Sequence, residues 1–167
     1  MDDKNRQPPV SLPTIGLTAV RVVLGLFWIS QFSWKPPPTF GCPNEGLCLW
    51  IAKEIDHPII PLYASFLRAV VQPNAIAFGW FTFLVETLTG ISLVLGLFTR
   101  LGGLVGTLWS LNLLVGLLGV PGESWWYYVS TILLNFQFFA LGDRLQFSLD
   151  RRLNLPSWLT GEEPQIV

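Results

Sequence analysis

A single carboxylate, Glu86, stands near the middle of a long apolar run at residues 76–98. About 20 apolar residues match a hydrocarbon core about 30 Å thick, so the run reads as a membrane span with an ionisable group inside it. Burying such a group costs on the order of a few kcal/mol, so it faces protein, a partner or water rather than lipid. Thr82, Glu86, Thr89 and Gly90 recur at three- and four-residue spacing, which gathers the small and polar side chains on one stripe. That stripe is expected to face inward. The chemistry open to it is ion pairing, proton exchange or binding of a polar ligand head; a structural hydrogen bond between helices is the plain alternative.

Three further polar residues occur in other apolar runs: Arg21, Asn112 and Asn135. At about 1.5 Å of rise per residue, Arg21 falls roughly 10 to 12 Å from the cytoplasmic end of its helix and Glu86 roughly 15 to 20 Å from that end. The same count sets Asn112 near mid-membrane and Asn135 roughly 10 Å inside it. We therefore expect a buried cluster of Arg21, Glu86, Asn112 and Asn135. An Arg21–Glu86 ion pair would lower the cost of burying either charge. Such a cluster could hold the polar head of a lipid-soluble molecule, such as a quinone carbonyl, among Trp28, Phe32, Trp109 and Phe139. It could equally only register helices that gain nothing from the hydrophobic effect in lipid. Gln137 points away from Asn135 on a helix, toward a partner surface.

The elements that must position these groups follow from the hydropathy pattern. The fold class expected is all-α, an integral membrane four-helix bundle with a long extracytoplasmic loop carrying short interfacial helices. Residues 1–13 form a mobile cytoplasmic tail, 14–146 the four-span domain with its loop at 35–75, and 147–167 a cytoplasmic C-terminal tail. The first run, 14–34, is read as a retained helix rather than a signal peptide, because Arg21 interrupts it and no small-x-small cleavage site follows. Pro36 to Pro38 must end it, since proline supplies no backbone donor. Residues 61–71 are apolar at near-helical spacing but too short to span, so a short helix along the interface is expected there, and a similar piece at 47–55. Gly102 and Gly106 permit close helix approach in the third span.

Four spans put both termini on one side. Lys4, Arg6, Arg100, Arg144, Arg151 and Arg152 make that side the cytoplasmic one, against Lys35, Lys53 and Arg68 in the opposite loop. Trp34, Trp50, Trp80, Trp125, Trp126, Tyr127 and Tyr128 then form an outer aromatic belt. The two cysteines, Cys42 and Cys48, fall outside the cytoplasm, where a disulfide can persist, although a redox-active pair also remains open. The expected location is the inner, cytoplasmic or photosynthetic, membrane of a bacterium.

Composition sets the class. The chain is 51% hydrophobic and only 13% charged, with a formal net charge of -1 and no basic block, which leaves the lipid bilayer and other membrane-complex subunits as partners and gives no sign of nucleic acid. His57 is the only histidine and sits in a loop, so a bis-histidine haem or a His-rich metal centre within this chain is excluded. No cofactor motif, covalent or otherwise, is recognisable. Lipids and a quinone are the ligands to consider.

Arg21 followed by LGLFW at 24–28, Lys35 before a Pro-rich turn, the span with Glu86 and Gly90 ending in LGLFTR at 95–100, and ALGDRLQFSLD at 140–150 occur in this order. In this the sequence resembles the DoxX/DoxD family of small four-helix membrane proteins, over roughly 21–150. The resemblance implies a membrane subunit tied to quinone or sulfur-redox chemistry, similar to the small subunit of a thiosulfate:quinone oxidoreductase, working with another polypeptide. Lys35 and Arg100 join Arg21 and Glu86 as family-like polar residues; no catalytic residue is assigned. Two readings follow. One is a subunit of a quinone-linked oxidoreductase in electron transport; the other is a non-catalytic accessory subunit of a large respiratory or photosynthetic complex, binding lipids or pigments. A small transporter is a third, against which an Arg21 partner holding Glu86 ionised would argue.

Overall fold

The computed structural model describes residues 12–141 and 148–153, all in helices and turns, with no strand among them. The helices are α1 (Leu12–Ser30), α2 (Gly46–Asp56), α3 (Pro61–Phe66), α4 (Ala75–Leu95), α5 (Thr99–Leu117), α6 (Trp125–Leu141) and the one-turn α7 (Leu149–Arg152). Among the described residues, three helical stretches are long and apolar enough to cross a membrane: Leu12–Ser33, Pro61–Leu95 and Thr99–Leu117. The tails at 1–11 and 154–167, and Arg144 with the rest of 142–147, lie outside the described residues.

Helix α1 packs on α4, α4 on α5, α5 on α6, and α6 touches α1. Glycines set these contacts. A Cβ on Gly25 of α1 would lie 2.7 Å from the Gly90 carbonyl oxygen of α4, and a Cβ on Gly90 the same distance from that of Gly25. Gly103 sits against the backbone of Asn135 and Phe139 on α6, and Gly106 against the Asn135 amide. Gly102 faces Ser92 instead, so the glycine pair expected from sequence serves two different neighbours.

The exterior is apolar and the interior mixed. On α4, Thr82, Glu86, Thr89 and Gly90 are buried while Leu84, Leu88, Ile91 and Leu95 are exposed, as the three- and four-residue spacing predicts. Such an inverted arrangement suits a helix bathed in lipid, where leucine gains nothing by hiding.

The segment at 61–71 is not a separate interfacial helix. It continues through a π turn at Leu67–Val71 and a 3-10 turn at Gln72–Asn74 into α4, giving one helical path from Pro61 to Leu95. Pro73, which lacks a backbone donor, stands where the path changes hydrogen-bond spacing, so the chain shifts register there without breaking. Helix α2 lies against this path through Leu47, Ile51 and Ile55, which join Leu67, Val71 and Ala75 around the buried Phe40 ring. Phe40 fills the notch left by Gly79 and meets Trp80 edge-on at 5.4 Å. Cys42 and Cys48 are joined by a disulfide with their Cα atoms 5.1 Å apart, closing the turn that leads into α2.

Candidate functional site

The Gly25–Gly90 contact fixes the antiparallel register of α1 on α4, placing Ile29 beside Gly90 and Arg21 beside Gly96. Glu86 therefore lies toward the far end of α1 from Arg21, and the expected Arg21–Glu86 pair does not form. Its partner is Lys35, beyond the end of α1, whose ammonium donates to Glu86 Oε1 at 2.6 Å. Both side chains are about 5% exposed or less. Burial alone pulls the Lys35 ammonium below its ordinary value, and the Glu86 carboxylate opposes that shift. The indole of Trp109 on α5 adds a second donor to Glu86 Oε1 at 3.4 Å.

The expected four-residue cluster is thus divided. Arg21 is buried at the other end of the helices, packed on Gly96 and within the electrostatic reach of Asp150. Asn135 is buried between α5, α6 and α1, where its Oδ1 accepts from Trp28 Nε1 at 3.1 Å and its amide donates to the Thr131 carbonyl at 2.7 Å. Those bonds occupy it with packing. Arg100 opens α5 and lies over the Phe139 ring, 5.4 Å from its centroid. Phe32 is exposed beside Phe83, and Gln137 is half-buried.

Glu86 and Asn112 share a cavity of about 620 Å³ enclosed by α1, α2, α3, α4, α5 and the start of α6. Its inner wall carries Lys35, Glu86, Thr82 and Trp109; Trp28, Phe78 and Leu113 supply apolar surface. Glu86 and Thr82 are among the residues that line this cavity, and among the described residues Glu86 Oε2 and Thr82 Oγ1 are buried without a hydrogen-bond partner. One helical turn along α4 separates the two residues, which puts them on one face of the helix. Buried polar atoms are normally paired.

A second polar group lies at the wall formed by α2, α3 and α5. The Tyr63 hydroxyl is 3.4 Å from Glu54 Oε2 and 3.2 Å from Asn112 Oδ1, close enough to donate to either. Glu54 also lies flat against Gly116, where any Cβ would meet its carboxylate. Desolvation raises the Glu54 carboxyl to about 7, with the Tyr63 hydrogen bond opposing the shift. Glu123 accepts from Tyr128 on a third side. At the mouth, Trp34 and Trp50 meet edge-on at 6.3 Å. Their faces are taken by Lys35 at 4.6 Å and Lys53 at 4.1 Å.

Sequence reasoning reached Glu86, Asn112, Trp28 and Trp109, and marked Lys35 only through resemblance. It placed Thr82 on the inward stripe of α4 and missed Glu54, Tyr63 and Glu123 altogether. The signal for Glu54 is present: Trp50 and Glu54 stand four apart, on a face beside the buried Leu47, Ile51 and Ile55. Compared with known proteins, the chain matches no family model, no curated protein and no solved structure.

Proposed function

We propose that this chain is the membrane subunit of a quinone-linked oxidoreductase, built as a four-span DoxD-like bundle, and that its cavity receives the quinone head. The observation that carries the reading is the buried pairing of Lys35 with Glu86 at the wall of an aromatic-lined cavity that Thr82 and Trp109 also line. A quinone carbonyl is an acceptor, and the Lys35 ammonium, the Thr82 hydroxyl and the Trp109 indole are donor groups on residues of the cavity wall. A ring between Trp28, Phe78 and Trp109 would stack on apolar and aromatic surface. The electron donor would come from a partner polypeptide facing the α2 side. The termini are cytoplasmic in this reading.

Titration of the full chain in nanodiscs with a short-tailed benzoquinone such as decylubiquinone tests it, read by quenching of the cavity tryptophans. Saturable quenching is expected, weakened tenfold or more in Thr82→Val and Trp109→Phe variants that retain the wild-type helical spectrum. Saturable uptake of a lipid or carotenoid with no competition from quinone would instead make the chain an accessory subunit.

A further inference from the structure

The cavity carries one polar group more than a single carbonyl needs. Trp109, which donates to Glu86, and Asn112, which lies beside Tyr63, stand three residues apart on α5, a rise of about 4.5 Å. Gly116, against which Glu54 lies, is one further turn on. The two polar groups therefore bracket the cavity along one helix, one to two turns apart. Both groups line the one cavity, so a six-membered ring with oxygens at opposite ends could be hydrogen-bonded at each.

We propose that Glu54, with Tyr63 and Asn112, binds the second oxygen of the headgroup and selects the oxidised from the reduced ligand by its own protonation. The inference rests on the quinone reading of the cavity. A quinone oxygen only accepts, so Glu54 can bond it only as the neutral carboxyl. A quinol hydroxyl donates, and is held by the ionised carboxylate. The same residue thus favours the quinone at low pH and the quinol at high pH.

The charged surroundings leave Glu54 in control of this choice. Tyr63 of α3 is hydrogen-bonded to it, and Asn112 of α5 lies on the other side of the same Tyr63 hydroxyl. Glu123 and Tyr128 are engaged with each other, and Glu86 is engaged by Lys35. On its own helix Lys53 lies over Trp50 and Asp56 is exposed; Arg68, beyond α3, is exposed as well. No cation among the described residues forms an ion pair with Glu54, and its ionisation near 7 falls within the working range. The aromatic faces at the mouth are already covered by lysines, which argues against a cationic ligand taking the same carboxylate.

The experiment is the decylubiquinone titration repeated between pH 6 and pH 8, a range in which the quinone itself does not ionise. For wild type the apparent Kd is expected to weaken about tenfold across that range, as the neutral fraction of a group ionising near 7 falls. Decylubiquinol, as a competitor, should show the opposite trend. Glu54→Gln, which keeps a donor but cannot ionise, should bind quinone at both pH values as wild type does at pH 6. Tyr63→Phe removes a hydrogen bond that holds charge on Glu54 and should move the midpoint to higher pH, a readout that remains if the glutamine variant fails to fold. Tight binding independent of pH in wild type, or an unmoved midpoint in Tyr63→Phe, overturns this inference and leaves the quinone site intact. No saturable binding at any pH overturns the site itself, and this inference with it.

Discussion

Lys35 and Glu86 illustrate how a buried ion pair can be costly to break and cheap to replace. Removing one partner leaves the other charge uncompensated in a dry site, a loss of roughly 3 to 5 kcal/mol. Glu86→Gln should therefore lower the thermal midpoint in detergent markedly. The double change Lys35→Met with Glu86→Leu should recover most of that loss, because apolar residues of similar volume tolerate the same burial. Quinone binding should not return with it, and that separation of stability from binding is the useful result. Glu54 predicts a different signature. Its carboxyl ionises near 7 in the folded chain and near 4.5 when unfolded. Between those values the folded state holds more protons, so stability falls as pH rises from about 4.5 to about 7 and is flat above. Thermal unfolding should show a higher midpoint at pH 5 than at pH 8, and Glu54→Gln should flatten the profile.

At the scale of elements, the α4–α5 turn shows what the motifs at 95–100 and 140–150 do. Gly96 adopts φ +66°, and Phe98 adopts φ +52°, a left-handed conformation unusual for a side chain of that size. The turn is held from outside: Asp150 accepts from the backbone N–H of Phe98 at 2.6 Å and of Thr99 at 2.9 Å, while Ser148 donates to the Gly96 carbonyl at 2.6 Å. A carboxylate from a distant segment therefore caps the first turn of α5, where unpaired N–H groups and the helix dipole favour negative charge. Arg21, packed on Gly96, belongs to this assembly rather than to the cavity. Asp150→Ala should cost roughly 1 to 2 kcal/mol by loss of the cap, measured by thermal unfolding. Quinone affinity should be unchanged, since the cap lies at the end of the helices remote from the cavity.

At the scale of the molecule, the long connection after α1 is not a tether but a lid of packed helix. Leu47, Trp50, Ile51 and Glu54 of α2 line one side of the cavity, and the disulfide and the Phe40 ring seated on Gly79 hold that helix in place behind them. The Cys42–Cys48 loop is short, so reduction should cost only about 2 kcal/mol by the chain-entropy relation. On the proposed topology, a membrane-impermeant maleimide added to intact cells should label these cysteines after reduction and not before. Labelling that required permeabilised cells would reverse the orientation.

Helical class and membrane character were legible in sequence because they depend on local spacing and composition. The inward stripe of Thr82, Glu86, Thr89 and Gly90 follows from a period of 3.6 alone. The partner of Glu86 was not legible. Depth counted from helix ends gave Arg21, but the register of α1 on α4 is set where Gly25 meets Gly90, and that contact moves Arg21 out of reach. Lys35 replaces it because the chain folds back immediately after the helix. Glu54 was invisible for a related reason: α2 reads as an ordinary amphipathic piece until Tyr63 of the next helix and Gly116, distant in sequence, close over its carboxylate. Periodicity tells which side of a helix is inside; only packing of one helix on another decides which buried groups meet.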